Sequence, residues 1–351
     1  MGAAASDPPE PPHKPPKRTQ KTRWWLLVPV LAYAGATAVS VVLLQFFVDR
    51  FWGATVLAFM PRWAPALPAP LLLVVAAYVR DPRAVGITAA CLVAQLFWIG
   101  GLRVSVGHGA PKDRSLRVMT QNADRVPFSS GWVAKVVKAE DLDLLVVQEC
   151  PLANGVATPS PLEGYAFETD INTCVLSRYP ISKTDLRPRK DVWAHGGSGA
   201  ISLYEIDAPF GTFGVMNVHF ATARNGLDGF RQFGIRGGIN TTKENMELRQ
   251  WESGLARDWS ARTTAPLLVM GDFNMPVESQ IYRASWGDLG NAFDACGNGF
   301  GYSKETVVRG IEYGTRIDHV LFDSRWACHA ARLGPEMGSD HRGMFAELSL
   351  K

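Results

Sequence analysis

Short apolar runs in this chain repeatedly end on a carboxylate, an amide or an imidazole. Leu267-Leu268-Val269-Met270 leads into Gly271-Asp272-Phe273-Asn274-Met275-Pro276, and Val118-Met119-Thr120 leads into Gln121-Asn122. Leu144-Leu145-Val146-Val147 ends on Gln148-Glu149, and Val215-Met216 on Asn217-Val218-His219. Ile317-Asp318-His319-Val320 and Ser339-Asp340-His341 continue the association. Such runs read as buried strands, closed where Gly or Pro intervenes. A carboxylate at the end of a core strand is costly to desolvate unless it meets a metal, a proton or a substrate. One instance alone could be an ordinary turn, because Gly-Asp and Asp-x-Asn also make turns. The recurrence points to a shared site.

The side chains fall into two chemical groups. Glu149, Asn122, Asp272, Asn274 and Asp340 are hard oxygen ligands or amides, the set that suits Mg²⁺ or Mn²⁺. His219 and His341 can act as acid, base or phosphate donor near neutral pH, and Asp318 could fix the tautomer of one of them. A metal, an activating imidazole and amide donors are what in-line attack of water on a phosphate ester needs. No Cys/His cluster suggests structural zinc, and neither a Gly-x-Ser-x-Gly elbow nor a P-loop is present. His195 and His319 read as non-catalytic, a loop histidine and one half of a surface pair. Arg249 reads as a phosphate contact or a solvated helix charge.

The elements that must position these groups are mostly strands. Strands are predicted at 116–120, 144–147, 171–176, 200–206, 213–218, 267–270 and 317–322, and helices at 132–140 and 243–257. Residues 222–240, rich in Gly, Arg and Asn, read as a long loop. Many strands with helices outside them imply an α/β fold, a four-layer sandwich of two packed sheets flanked by helices.

Ahead of that domain lies a different composition. Residues 1–23 are Pro-, Ala- and Lys/Arg-rich and read as a disordered basic cytoplasmic arm. Residues 24–48 carry no charge and are long enough to span a bilayer; apolar stretches at 65–79 and 84–102 follow. The expectation is an anchor at 24–102 with three transmembrane helices, the middle one short and Pro-rich. The basic arm keeps the N-terminus inside, so three spans place the domain at 103–351 outside the cytoplasm; a re-entrant middle segment would place it inside.

The whole chain has net charge +3, yet residues 103–351 carry 27 Lys/Arg against 29 acids. That balance lacks the basic footprint of sequence-independent nucleic-acid binding, so there is no strong sign of nucleic acid. No protein partner is indicated. The five cysteines, Cys91, Cys150, Cys174, Cys296 and Cys328, lack metal-type spacing and read by default as free thiols, although pairing of four of them stays open.

Gln121-Asn122, Val147-Gln148-Glu149, Leu176-Ser177-Arg178-Tyr179-Pro180-Ile181, Asn217-Val218-His219, Gly271-Asp272-Phe273-Asn274, Arg316-Ile317-Asp318-His319-Val320 and Ser339-Asp340-His341 resemble, in this order, the motifs of the endonuclease/exonuclease/phosphatase superfamily. With its anchor, the chain looks most like the membrane-bound VanJ-type teicoplanin-resistance proteins of actinomycetes. The resemblance implies Glu149 as principal metal ligand with Asn122 and Asp340 supporting it, and His341 as the base oriented by Asp318. It implies Asp272 and Asn274 positioning nucleophile and phosphate, and His219 donating to phosphate or leaving group; in parts of the family Asp272 is the base instead. A catalytic domain beside a bilayer meets head groups at high effective concentration, so a phosphorylated lipid is the expected substrate and the lipid bilayer the expected partner. A cell-surface nuclease and a non-catalytic membrane scaffold are the alternatives.

Overall fold

Period-two alternation of apolar side chains builds two sheets in the computed structural model, which describes residues 23–105, 115–124, 126–127, 131–150, 160–170, 172–197 and 199–351. In chain order the strands are β1 (Leu116–Asn122), β2 (Leu144–Gln148), β3 (Ala166–Thr169), β4 (Thr173–Ser177), β5 (Ile181–Leu186), β6 (Ala200–Ala208) and β7 (Gly211–His219). They continue with β8 (Leu267–Asp272), β9 (Gly290–Asn291), β10 (Lys304–Val308), β11 (Ile311–Thr315), β12 (Asp318–Phe322), β13 (Trp326–Leu333) and β14 (Met344–Leu350). One sheet runs β13-β14-β1-β2-β4-β3 and the other β5-β6-β7-β8-β12-β9, while β10 and β11 form a separate hairpin. The basic arm, apart from Arg23, lies outside the described residues, as does Ile171 at the head of the expected 171–176 strand.

Alternation decides the layers. Val118, Val146, Val215, Leu268 and Met270 meet between the two sheets. Met119, Leu145 and Val147 face the other way, onto Val133, Val136 and Val137 of the Trp132–Glu140 helix. Met216, Val218 and Val269 pack toward Ala256 and Trp286, on the helices Arg224–Ser260 and Gln280–Trp286. Each fully buried side chain of this size contributes roughly 1.5–3 kcal/mol. The product is the expected four-layer sandwich.

Register then gathers the site. β1 and β2 are parallel, and β14 runs antiparallel to β1, so two strands end where the third begins. The second sheet repeats the device: β7 and β8 are parallel, and β12 starts opposite the end of β8, with Asp318 across from Asp272. All the polar strand ends therefore lie on one edge of the sandwich.

The segment expected to be a long loop is helical. One helix is traced over Arg224–Ser260, broken at Gly234 (φ 68°, ψ −168°), where the left-handed φ folds it into a helical hairpin. The glycines that make it look loop-like serve close packing. A Cβ on Gly226 would lie 3.0 Å from the Thr242 Cα, and one on Gly238 2.3 Å from the Phe230 ring.

Two helices among the described residues are long and apolar enough to cross a membrane, Trp24–Phe46 and Pro82–Ile99. The middle segment gives only an 11-residue helix, Pro68–Tyr78, which at ~1.5 Å per residue covers about half of a bilayer core. Its prolines sit at and before its first turn, which is why it is short. The Arg23 guanidinium donates to the Val79 carbonyl, and the Gln45 amide donates to the Trp98 carbonyl at 3.4 Å. Arg23 and the 79–81 turn thus share one end of the helical bundle, and the sandwich adjoins the other.

Two buried ion pairs lock the N-terminal helices onto the sandwich. Arg62 meets Glu278 at 2.8 Å, and Asp49 meets Arg249 at 2.6 Å with both side chains fully buried. Arg249 is therefore neither a phosphate contact nor a solvated helix charge. Cysteine usage also departs from the default, because Cys150 and Cys174 form a disulfide across 24 residues; Cys91, Cys296 and Cys328 remain free.

Candidate active site

Asp272 ends β8, fully buried, with its carboxylate held from three directions. Asn274 donates its backbone N–H to Oδ1 at 2.8 Å and its side-chain amide to Oδ2 at 3.3 Å, while the Asn122 amide donates to Oδ2 at 3.0 Å. Asn274 also donates to the Phe220 carbonyl at 2.9 Å, tying the loop after β8 to the end of β7. The Asn122 amide reaches Glu149 at 3.3 Å, and its own oxygen accepts from the Asp124 N–H at 2.9 Å. Asn122 therefore holds the two carboxylates together and directs N–H groups, not oxygen, toward them. Glu149 and Asn274 sit at φ 51° and 50°, a region few non-glycine residues adopt, and such strain gathers at functional sites.

His341 approaches from the other sheet's partner loop. Its Nδ1 lies 2.9 Å from Asp318 Oδ2, which fixes Nδ1 as the donor and leaves Nε2 3.8 Å from Asp272 Oδ2 and 3.8 Å from Asp340 Oδ1. Asp318 is oriented in turn by Ser303, whose hydroxyl accepts the Ile317 and Asp318 amides at 3.1 and 3.0 Å. His219 Nε2 stands 3.8 Å from both Glu149 and Asp272. Beneath these groups a polar layer joins the sheets: Gln148 donates to Asn217 at 2.7 Å, and Asn217 donates to the Val147 and Cys174 carbonyls.

Burial, then the neighbouring Asp318 charge, raise the Asp272 carboxyl above the usual range, against the pull of His341, His219 and the Asn122 hydrogen bond. Burial alone would lower His341, but the Asp318 and Asp272 carboxylates outweigh it and hold the imidazole up to about 9. Asp272, Asp318 and His341 bring ligand atoms within 4.8 Å of one another and could hold a cation. His341 Nδ1 and Asp318 Oδ2 already share a hydrogen bond, however, so this trio is better suited to proton transfer. The partly exposed Glu149 carboxylate, with Asp272 beside it, offers the freer oxygen donors. The Asp340 Oδ1, buried without a hydrogen-bond partner, is another such donor. The donor chemistry fits a hard divalent cation.

All eight residues singled out in the sequence are brought to this edge. Seven of them, with Asp124, Thr222, Arg224 and Lys304, line a cleft of about 200 Å³; Asp318 backs it from behind His341. Asp340 is ion-paired to Lys304, so the structure sets it beside His341 and Lys304 and shows no direct contact with Glu149. Lys304 was not legible in the sequence: it lies in a polar stretch with no apolar run before it, and only pairing with His341 brings it in. His319 is no surface residue. It is buried against Phe273 and Tyr282, and its Nε2–H donates to the Met275 carbonyl at 2.9 Å while Nδ1 accepts from Asn291. Burial and the nearby Arg316 charge push it down to about 4. His195 stacks on Trp251 and bonds the Asp191 carbonyl, away from the cleft.

Residues 119–341 match the Endonuclease/Exonuclease/phosphatase family, and the chain belongs to it. Members of this family are hydrolases of phosphoester bonds and are generally divalent-metal dependent. Solved structures share the fold at low identity. A 3′ phosphatase, NExo from Neisseria bound to a product DNA hairpin, is 18% identical with TM-score 0.50, covering 67% of this chain and 99% of its own. An endonuclease/exonuclease/phosphatase from Beutenbergia cavernae is 19% identical with TM-score 0.47, covering 68% and 72%. D. rerio TDP2 complexed with single strand DNA product is 11% identical with TM-score 0.49, covering 68% and 100%. No curated protein sequence matches the chain.

Proposed function

We propose that the chain is a membrane-anchored, divalent-metal-dependent phosphohydrolase that acts on a phosphate ester or pyrophosphate carried by a cell-envelope lipid. The observation that carries the hydrolase part is the split dyad, His341 Nδ1 on Asp318 at 2.9 Å with Nε2 turned toward Asp272 and the cleft. His341 is the base: Nε2 takes the proton of a water whose oxygen attacks phosphorus as the bond to the leaving oxygen breaks. Asp272, its oxygens engaged by Asn122 and Asn274, positions that water and the phosphoryl group together with Asn274. His219 donates to the phosphoryl or leaving oxygen. Glu149 is the principal cation ligand, held by Asn122, with Asp340 and Asp272 the other oxygen donors at hand. A bound Mg²⁺ or Mn²⁺ would supply positive charge for the phosphoryl oxygens and relieve the carboxylate excess that keeps His341 protonated.

The membrane part rests on composition and packing. The domain division at 23 and 102 is read from composition, and Arg23, Arg80 and Arg83 sharing the bundle end opposite the domain supports an exit outside the cytoplasm. The Cys150–Cys174 disulfide supports the same side, because such bonds persist in oxidising compartments. The resemblance to VanJ-type proteins supports a lipid phosphate and a role in glycopeptide tolerance. The nuclease reading keeps one observation in its favour, a fold shared with a phosphatase that binds a DNA hairpin. The deciding assay is Mg²⁺-dependent phosphate release from a polyprenyl pyrophosphate by detergent-purified full-length protein, with His341→Ala as blank. Release lost in the variant supports the assignment; DNA cleavage without lipid turnover overturns the substrate.

A further inference from the structure

Two hairpins flank the catalytic cleft and are built alike. The first is the helical hairpin folded at Gly234, whose base supplies Thr222 and Arg224 to the cleft. Its tip exposes Phe233 (64%) and Ile235 (72%), flanked by exposed Arg231 and Arg236. The second is β10–β11, whose base supplies Lys304 to the cleft. Its tip exposes Val307 (67%), Val308 (49%) and Ile311 (48%) around a turn at Arg309 and Gly310, both at positive φ.

Each tip also borders the short stretch of anchor between the membrane helices. Phe230, three residues before Phe233, packs on Trp52 with ring centroids 5.5 Å apart. Glu312 and Tyr313, beside Ile311, line a cavity of about 620 Å³ that Trp63 also lines. Trp52 and Trp63 belong to the residues between the Trp24–Phe46 and Pro68–Tyr78 helices.

We propose that these two tips are a membrane-inserting rim around the cleft, and that the group they admit is a phosphate borne by a lipid still seated in the bilayer. The proposal rests on the membrane-anchored reading above and adds the surface that meets the lipid. Small apolar tips beside arginine suit a head-group boundary: the apolar side chains enter the acyl edge and the guanidinium groups meet anionic head groups. Each tip is far too small for a stable protein interface, which needs on the order of 800 Å² per partner. Continuity with the anchor fixes the bilayer as the occupant, because the chain that carries Trp52 and Trp63 leaves and re-enters the apolar bundle on either side of them.

The test uses full-length protein in phosphatidylglycerol/phosphatidylethanolamine bilayers, with a fluorophore on Phe233→Cys or Val308→Cys in a Cys328→Ser background. Ser324→Cys, in the turn at the opposite end of the sheets, is the control. Brominated acyl chains should quench both tip labels and spare the control. Labels quenched by aqueous iodide and not by bromolipid would overturn the proposal. So would labels shielded from both, the sign of a second copy covering the tips. Phe233→Asp with Ile235→Asp should lower kcat/KM on the bilayer-held polyprenyl pyrophosphate at least about tenfold and leave hydrolysis of a water-soluble phosphate ester unchanged. An equal loss on both substrates would also overturn the rim. Failure of the wild type on both substrates would sink the hydrolase reading, and the quenching pattern would still decide the rim.

Discussion

At the scale of single residues, Asp318, His341 and His319 separate proton chemistry from structure. His341→Ala should cut turnover on the order of 10²–10⁴-fold with an unchanged circular-dichroism spectrum. Asp318→Asn should follow it, because the amide would present either the wrong hydrogen-bond role to Nδ1 or a weaker one. Wild-type rates in either variant would remove the dyad from the mechanism. His319 makes the opposite prediction. Its folded value near 4 lies below the ordinary 6.5, so its contribution to stability is complete above pH 6.5 and is lost as pH falls toward 4. Across that window it should cost about 1.4 kcal/mol per pH unit. Thermal unfolding of His319→Gln between pH 7 and 4 should therefore show a shallower fall than wild type; parallel slopes would mean that His319 is not held neutral. Sequence set His341 apart as the base and His319 as non-catalytic, but placed His319 on the surface, since the burial and partners of the two identical Asp-His dipeptides come from distant strands.

At the scale of elements, the N-terminal helical bundle and the loop after β8 are one mechanical unit. Arg249 reaches from Asp49, just past the Trp24–Phe46 helix, to the Asn274 carbonyl at 3.4 Å, and Glu278 in the same loop receives Arg62. Removing one partner of a buried pair costs about 3–5 kcal/mol, because the other charge stays buried alone. Asp49→Ala should lower the unfolding temperature in detergent by that equivalent, and Asp49→Ala with Arg249→Met should recover most of it. A double variant no better than the single would argue against direct pairing. None of this was legible, whereas the strand ends were. An apolar run followed by a polar residue is a local pattern, but a pairing between Asp49 and Arg249 spans 200 positions. The helix predicted at 243–257 is present, but its first arm, within 222–240, was misread as a loop for a related reason: glycine reports flexibility locally, and its use here is a close approach that only the folded partner reveals.

At the scale of the whole molecule, the sandwich was foreseeable from strand alternation, and the long apolar helix Trp24–Phe46 from uncharged length. The disulfide was not, because pairing depends on Cys150, just past the end of β2, meeting Cys174 on the neighbouring strand β4. Replacing both by serine should lower stability by about 3 kcal/mol for a loop of this length. Thiol titration of the unfolded native protein should return the three free cysteines and no more. Finding five would return the bridge to the reduced state.

The order of the strands has a consequence for how activity arises. β1, first of the sandwich, lies beside β14, last of it, and His341 sits just ahead of β14. Glu149, His219 and Asp272 are all synthesised earlier, yet none of them can take the proton on the proposed mechanism. On the proposed mechanism the cleft therefore gains its base only when β14 pairs with β1, so the last strand to be made is also the one that completes the site.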